Sequence, residues 1–262
     1  MDPLLEGFLI FLAVGFTAQL IDGAVGMAYG VTAATVLLAF GVPPATVSAS
    51  VHASKVFTGA ASGAAHAMHG NVERRLTLWL AAGGVLGGVV GAYIVTSLPA
   101  ATLKPAIIVY LGVMGIVILL RAGRAIEAKP RRFRLPFPLG AIGGFLDSIG
   151  GGGWGPTVTT TLVGSGVEPR MAIGSTNAAE FFVAVAVSSA FLGLLLTGHW
   201  DQADHLSDNL WPVLGLIAGG LLAAPLAARI TRVLPPTRMS WIVGCVVIAL
   251  AAWQGLQLAK LV

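Results

Sequence analysis

The sequence predicts an all-α, polytopic membrane protein built from two inverted repeats of about five hydrophobic segments each, with glycine-rich discontinuous helices. Composition is the first reason. Mean hydropathy is +0.88, with 56% hydrophobic and 10% charged residues, whereas a soluble domain carries about 25% charged residues. The second reason is an ungapped self-similarity: Asp22-Gly-Ala-Val-Gly-Met-Ala-Tyr-Gly-Val31 recurs at an offset of 125 (147 − 22) as Asp147-Ser-Ile-Gly-Gly-Gly-Gly-Trp-Gly-Pro156. The same offset pairs Gly15 with Gly140, Thr35 with Thr160, Pro44 with Pro169, Ser50 with Ser175 and Phe57 with Phe182, which marks a duplicated unit. Loop charge supplies the third reason, developed below.

In chain order, the first apolar run is Leu4–Leu20. It follows Met1-Asp2 and contains Glu6 instead of a basic leader, so it reads as a retained helix. Asp22–Met68 is longer and patchier, interrupted by glycine and proline, and carries the first copy of the motif. Leu76–Val95 and Leu103–Leu120 each have the roughly 17 to 25 apolar residues of a span. The linker Arg121–Arg134 sets Arg121, Arg124, Lys129, Arg131, Arg132 and Arg134 against Glu127. Leu135–Thr197 carries the second copy of the motif, and Leu210–Ala228 and Met239–Leu258 complete the set. The expected division is therefore a first repeat over 1–120, a basic linker over 121–134 and a second repeat over 135–262.

The positive-inside rule puts the linker in the cytoplasm, together with the turn bearing Arg74 and Arg75 and the turn bearing Arg229, Arg232 and Arg238. His199–Asn209, with Asp201, Asp204 and Asp208, then lies outside, although it holds the repeat position of the Arg74-Arg75 turn. Equivalent loops thus face opposite sides, each repeat crosses an odd number of times, and both termini are expected outside a multi-pass cytoplasmic membrane protein.

Such repeats place their site near the midplane on broken helices. The expected breaks are Gly23–Gly30, with Gly26 and Gly30, and Gly150–Pro156, with Gly150, Gly151, Gly152, Gly153 and Gly155. Irregular backbone at that depth must be packed in protein or line a wet cavity, and a helix start after a glycine turn offers unpaired N–H groups to an anion. Isolated pairs such as Gly83-Gly84, Gly87-Gly88 and Gly219-Gly220 instead read as close helix packing.

After the first break, His52, Lys55, Gly59, Ser62 and His66 fall on one helix face. Their repeat partners begin with Asn177 and Glu180, so a cation and a carboxylate occupy equivalent places in the two halves, and inversion would bring Lys55 and Glu180 together. Buried ionisable residues mark ion pathways. Lys55 and His52 are the expected anion contacts, with Glu180 exchanging a proton or holding Lys55, and the alternative is an ion pair that only locks the halves together. Asp22 and Asp147 cap helices or carry protons, while Tyr29 and Trp154 line a cavity or act as interfacial anchors.

Several classes are set aside. No cofactor motif and no metal-ligand set is present: His66 with His69, and His199 with His205, are pairs only. Cys245 excludes an intrachain disulfide framework, no basic face interleaved with aromatics suggests a nucleic-acid partner, and there is no phosphate loop for ATP.

The run Asp147–Thr157 followed by Glu168-Pro-Arg-Met-Ala-Ile-Gly-Ser-Thr-Asn-Ala-Ala-Glu-Phe-Phe182 resembles the second-half signature of the TauE/SafE sulfite-exporter family of bacterial membrane permeases. Ser48-Ala-Ser-Val-His-Ala-Ser-Lys-Val-Phe57 and Gly70-Asn-Val-Glu-Arg-Arg75 resemble the matching first-half motifs. The resemblance implies movement of sulfite, sulfonates or related organosulfur acids, outward and driven by an ion gradient. It carries over Ser50, His52, Lys55, Ser175, Asn177 and Glu180 as pathway residues, to which Trp154 is added as a cavity-lining ring. The first half departs from the glycine run, with Val25, Met27 and Ala28 opposite Gly150, Gly152 and Gly153. The resulting expectation is a secondary transporter, not an enzyme, whose partners are a small sulfur-containing anion and the bilayer. A homodimer is compatible with it. A passive channel and an intramembrane enzyme using Asp22, Asp147 and His52 are the alternatives.

Overall fold

The computed structural model describes residues 3–122, 133–200, 210–230 and 236–260. Among them there is no strand. The elements are α1 (Pro3–Val25), α2 (Tyr29–Ala39), α3 (Pro44–Met68), α4 (Arg74–Ser97), α5 (Ala100–Ala122), α6 (Pro136–Gly150), a π-helical turn (Gly155–Thr159) continuing into α7 (Thr160–Gly164), α8 (Pro169–Leu196), α9 (Leu210–Ile230) and α10 (Pro236–Leu258). Among the described residues, four helices are long and apolar enough to cross a membrane: Arg74–Ser97, Ala100–Ala122, Pro169–Leu196 and Trp241–Leu258. The acidic loop 201–209 and most of the basic linker lie outside the described residues, so their predicted sidedness rests on sequence alone.

Packing between the halves is reciprocal. The first helix of each half lies on the fourth helix of the other, α1 on α9 and α6 on α4, while α3 packs on α8 and α5 on α10. Glycine permits the approach: a Cβ on Gly83 or Gly87 would run into the backbone of Phe137 and Ala141, and one on Gly219 into that of Leu12. Small residues serve membrane helices in this way because close backbone approach, and not exclusion from water, holds them together. The isolated glycine pairs are thus packing devices, as their spacing suggested.

The two patchy regions each form a hairpin. The start of α6, the start of α4 and the α7–α8 connection together line one cavity of about 1400 Å³, through Phe133 to Pro138, Glu73, Arg75, Leu76 and Trp79, and Ser165 and Val167. Hence α6 descends from the linker end of the bundle and α7 returns to it. At the opposite end, the α2–α3 connection meets the α4–α5 turn and His199 and Trp200 around a cavity of about 260 Å³. The ring of Phe11 lies 5.4 Å from that of Phe40, so the early part of α1 and the end of α2 share this end. Whether these segments cross or turn back was open in the sequence; both turn back.

The breaks are narrower than expected. α1 runs through Asp22 to Val25, and the interruption is Gly26-Met27-Ala28; in the second half it is Gly151-Gly152-Gly153. Gly26 and Gly151 both have φ +70°, a left-handed turn that suits glycine. Gly30 is not part of a break, since it lies in α2, nor is Gly150, the last residue of α6, nor Gly155, which opens the π-helical turn. Their smallness serves contact instead. A Cβ on Gly30 would come within 2.7 Å of Lys55 Nζ and 3.0 Å of Gly152 Cα, one on Gly155 would strike Met27 and lie 2.7 Å from the Gly26 oxygen, and one on Gly150 would meet the Tyr110 ring.

Candidate functional site

The two hairpin tips meet in the middle of the bundle, and each is tied by an aspartate reaching forward across its own break. Asp22 Oδ1 accepts from the backbone N–H of Ala28 at 2.7 Å and of Tyr29 at 3.1 Å. Asp147 Oδ1 accepts from the N–H of Trp154 at 3.1 Å, the same bond in the repeat-equivalent place. These are the orphan donors of a helix start, which favour an anionic acceptor. Capping, one of the two roles open for these aspartates, is therefore present at both.

Asp147 does more than cap. It is fully buried, and Lys55 Nζ donates to its Oδ1 at 2.8 Å and its Oδ2 at 3.0 Å. His52 Nε2 sits 3.1 Å from Oδ2, while His52 Nδ1 lies 2.8 Å from the carbonyl of Ser48. Lys55 Nζ also reaches Glu180 Oε1 at 2.9 Å. The expected approach of Lys55 and Glu180 is thus realised, and the dominant partner, Asp147, was not paired with Lys55 in the sequence reading. The signal that could have found it is the repeat itself, which puts a carboxylate at the tip facing each of the positions 55 and 180.

The carboxylates are held very differently. Asp147 receives Lys55, His52 and the Trp154 amide, whereas Glu180 is 15% exposed at its side chain and makes its ion pair with Lys55. A buried pair survives only when the remaining polar valences are met. Asp147 meets that condition. Glu180 is the looser arm.

The other expected site residues separate into contacts and supports. Trp154 is buried, and its Nε1 donates to the Thr176 carbonyl at 3.1 Å, so its ring is a packing element and not a free cavity wall. Tyr29 is also buried; its hydroxyl is within 3.1 Å of Ser54 Oγ and 3.2 Å of the Leu216 carbonyl, which excludes an interfacial anchor. Both ring nitrogens of His52 are engaged, which makes it a support for Asp147 in this conformation. Ser175 Oγ accepts from the Glu73 N–H at 2.9 Å, away from the ammonium. Ser50 Oγ and Asn177 Nδ2 are buried with no hydrogen-bond partner among the described residues. Sequence reasoning missed Thr159, whose hydroxyl is within 3.2 Å of the Gly26 carbonyl and 3.0 Å of Thr176 Oγ1, tying the first hairpin tip to the second half.

Among the described residues no cluster of three or more His, Cys, Asp or Glu could hold a metal ion. The two cavities lie at opposite ends of the bundle, and neither is lined by Lys55, Asp147 or Glu180.

A family model described as "Sulfite exporter TauE/SafE" matches residues 11–253. The chain is also 40% identical over 255 residues to the "Probable membrane transporter protein YtnM" of Bacillus subtilis (strain 168), covering 95% of this chain and 82% of that protein. No solved structure matches.

Proposed function

The chain belongs to the sulfite exporter TauE/SafE family and is a multi-pass membrane transporter, and from that premise we propose that it moves small sulfur-containing anions outward across the cytoplasmic membrane. The observation that carries this reading is Lys55, a buried ammonium held between two carboxylates where the hairpin tips meet. Intramembrane ionisable groups in such places mark ion pathways, and broken helices at the contact of two halves are where transporters of repeated build bind their substrates.

Lys55 is the anion contact, Asp147, steadied by His52, holds its ammonium, Asn177 offers a neutral donor, and Glu180 is the proton-linked group. The halves are inverted, which the reciprocal helix pairing and the opposite ends at which the two hairpins begin support. Alternating access then consists of rocking the α1–α2 and α6–α7 hairpins so that the site opens by turns toward the cavity at each end.

The test is Lys55→Gln. In proteoliposomes it abolishes sulfite and sulfonate flux while the protein stays folded and monodisperse, and retained flux sinks the assignment. A channel of the same fold would conduct without saturable counterflow, so the same vesicles separate the two readings.

A further inference from the structure

The Lys55 ammonium makes three close polar contacts, all with carboxylate oxygens: two with Asp147, at 2.8 and 3.0 Å, and one with Glu180, at 2.9 Å. A primary ammonium has three donors and no more. In this conformation an incoming anion finds no donor at Lys55 until one carboxylate leaves. Asp147 is anchored by His52 and the Trp154 amide, so the group that can leave is Glu180.

We propose that Glu180 is a tethered stand-in for the substrate, and that the protein therefore carries one proton with each monoanion in the same direction. The inference rests on the assignment of Lys55 as the anion contact. The carboxylate of Glu180 takes up a proton, its ion pair with Lys55 breaks, and an oxygen of the substrate anion accepts the freed hydrogen of Lys55. The Asp147 contacts remain. One negative charge on Glu180 is replaced by one on the substrate, so loaded and empty carriers have equal charge.

Glu180 is paired with Lys55 from α3, which also holds Asp147 at the end of α6 with His52 behind it, and Asp22 from α1 is a further carboxylate in its electrostatic field. Lys55 is the cation that stabilises its charge; Asp147 and Asp22 are like charges that disfavour it. Releasing Glu180 unprotonated would set a bare carboxylate and an added anion beside an ammonium that Asp147 already neutralises, in apolar surroundings where uncompensated charge is costly. Asn177 supplies a second donor. It lies one turn before Glu180 on α8, and its Nδ2 is buried without an acceptor among the described residues. An anion oxygen there would satisfy it.

Export on this scheme runs on the outward gradient of the substrate itself, in place of the ion-gradient drive that the family resemblance implies, and an inward proton gradient opposes it. The experiment uses the full chain in proteoliposomes with radiolabelled sulfite and with methanesulfonate, a strong-acid monoanion whose own charge does not change with pH. Acid on the substrate side should accelerate uptake several-fold, and a potassium–valinomycin potential should leave it unchanged. In Glu180→Gln, anion exchange should persist without response to the pH gradient, and Glu180→Asp should restore the response.

Acceleration by alkali on the substrate side, flux driven by the potential, or an undiminished pH response in Glu180→Gln would each overturn the coupling while leaving the substrate class standing. Absence of flux for both probes in the wild-type chain, with the protein folded and monodisperse, would instead remove the sulfur-anion reading and this inference with it.

Discussion

Asp147→Asn is the perturbation that tests the central ion site most directly. The wild-type carboxylate is fully buried and receives Lys55 through both oxygens, His52 and the Trp154 amide. Asparagine keeps one acceptor for the Trp154 amide but turns an NH₂ toward the Lys55 or His52 donors. Breaking one side of a buried pair costs about 3 to 5 kcal/mol, because the remaining charge stays buried. For Glu180→Gln the ammonium keeps Asp147, and the carboxylate lost is partly exposed with one contact, so about 1 to 2 kcal/mol is expected. At roughly 2 to 4 °C per kcal/mol for a chain of this size class, Asp147→Asn should lower Tm by on the order of 10 °C and Glu180→Gln by only a few degrees. The assay is thermal unfolding of purified protein in detergent. The double variant Lys55→Gln/Asp147→Asn, which removes both charges, should recover part of the loss as a coupling of about 1 to 3 kcal/mol. Equal destabilisation by the two carboxylate variants, or strict additivity in the double variant, would refute the unequal anchoring on which the mechanism depends.

Other outcomes follow from the hairpin tips. Gly152→Ala would drive a Cβ into the backbone of Gly30 and Val31, so it should cost about 1 to 3 kcal/mol or prevent assembly; Gly193→Ala, in α8 with nothing within 4 Å, should be neutral or stabilise by up to about 1 kcal/mol. Comparing the two by Tm separates tip contact from glycine flexibility in general. Asp22→Ala removes the acceptor for Ala28 and Tyr29, which should cost about 2 kcal/mol and speed hydrogen exchange at those two amides, while Asp22→Asn should retain most of the protection.

Much of this protein can be read along its chain. Hydropathy and low charge require a bilayer, and the offset of 125 singles out Asp22 with Asp147, Gly26 with Gly151 and Lys55 with Glu180 before any coordinates. One-face spacing also put His52 and Lys55 together. These properties are local or periodic: they depend on residue type, helical period and register, all of which are one-dimensional. Three others were decided only by tertiary structure. A glycine run has no direction, so whether it crosses or turns back depends on which helices pack against it, here α6 on α4 and α1 on α9. Gly30 and Gly155 have the composition of a break, yet each sits in helix, and glycine is needed there because the opposing segments leave no room for a Cβ. The partner of Lys55 is Asp147, 92 positions away, because a reversed α6–α7 hairpin delivers its carboxylate to the middle of α3, and hydropathy carries no information about that depth.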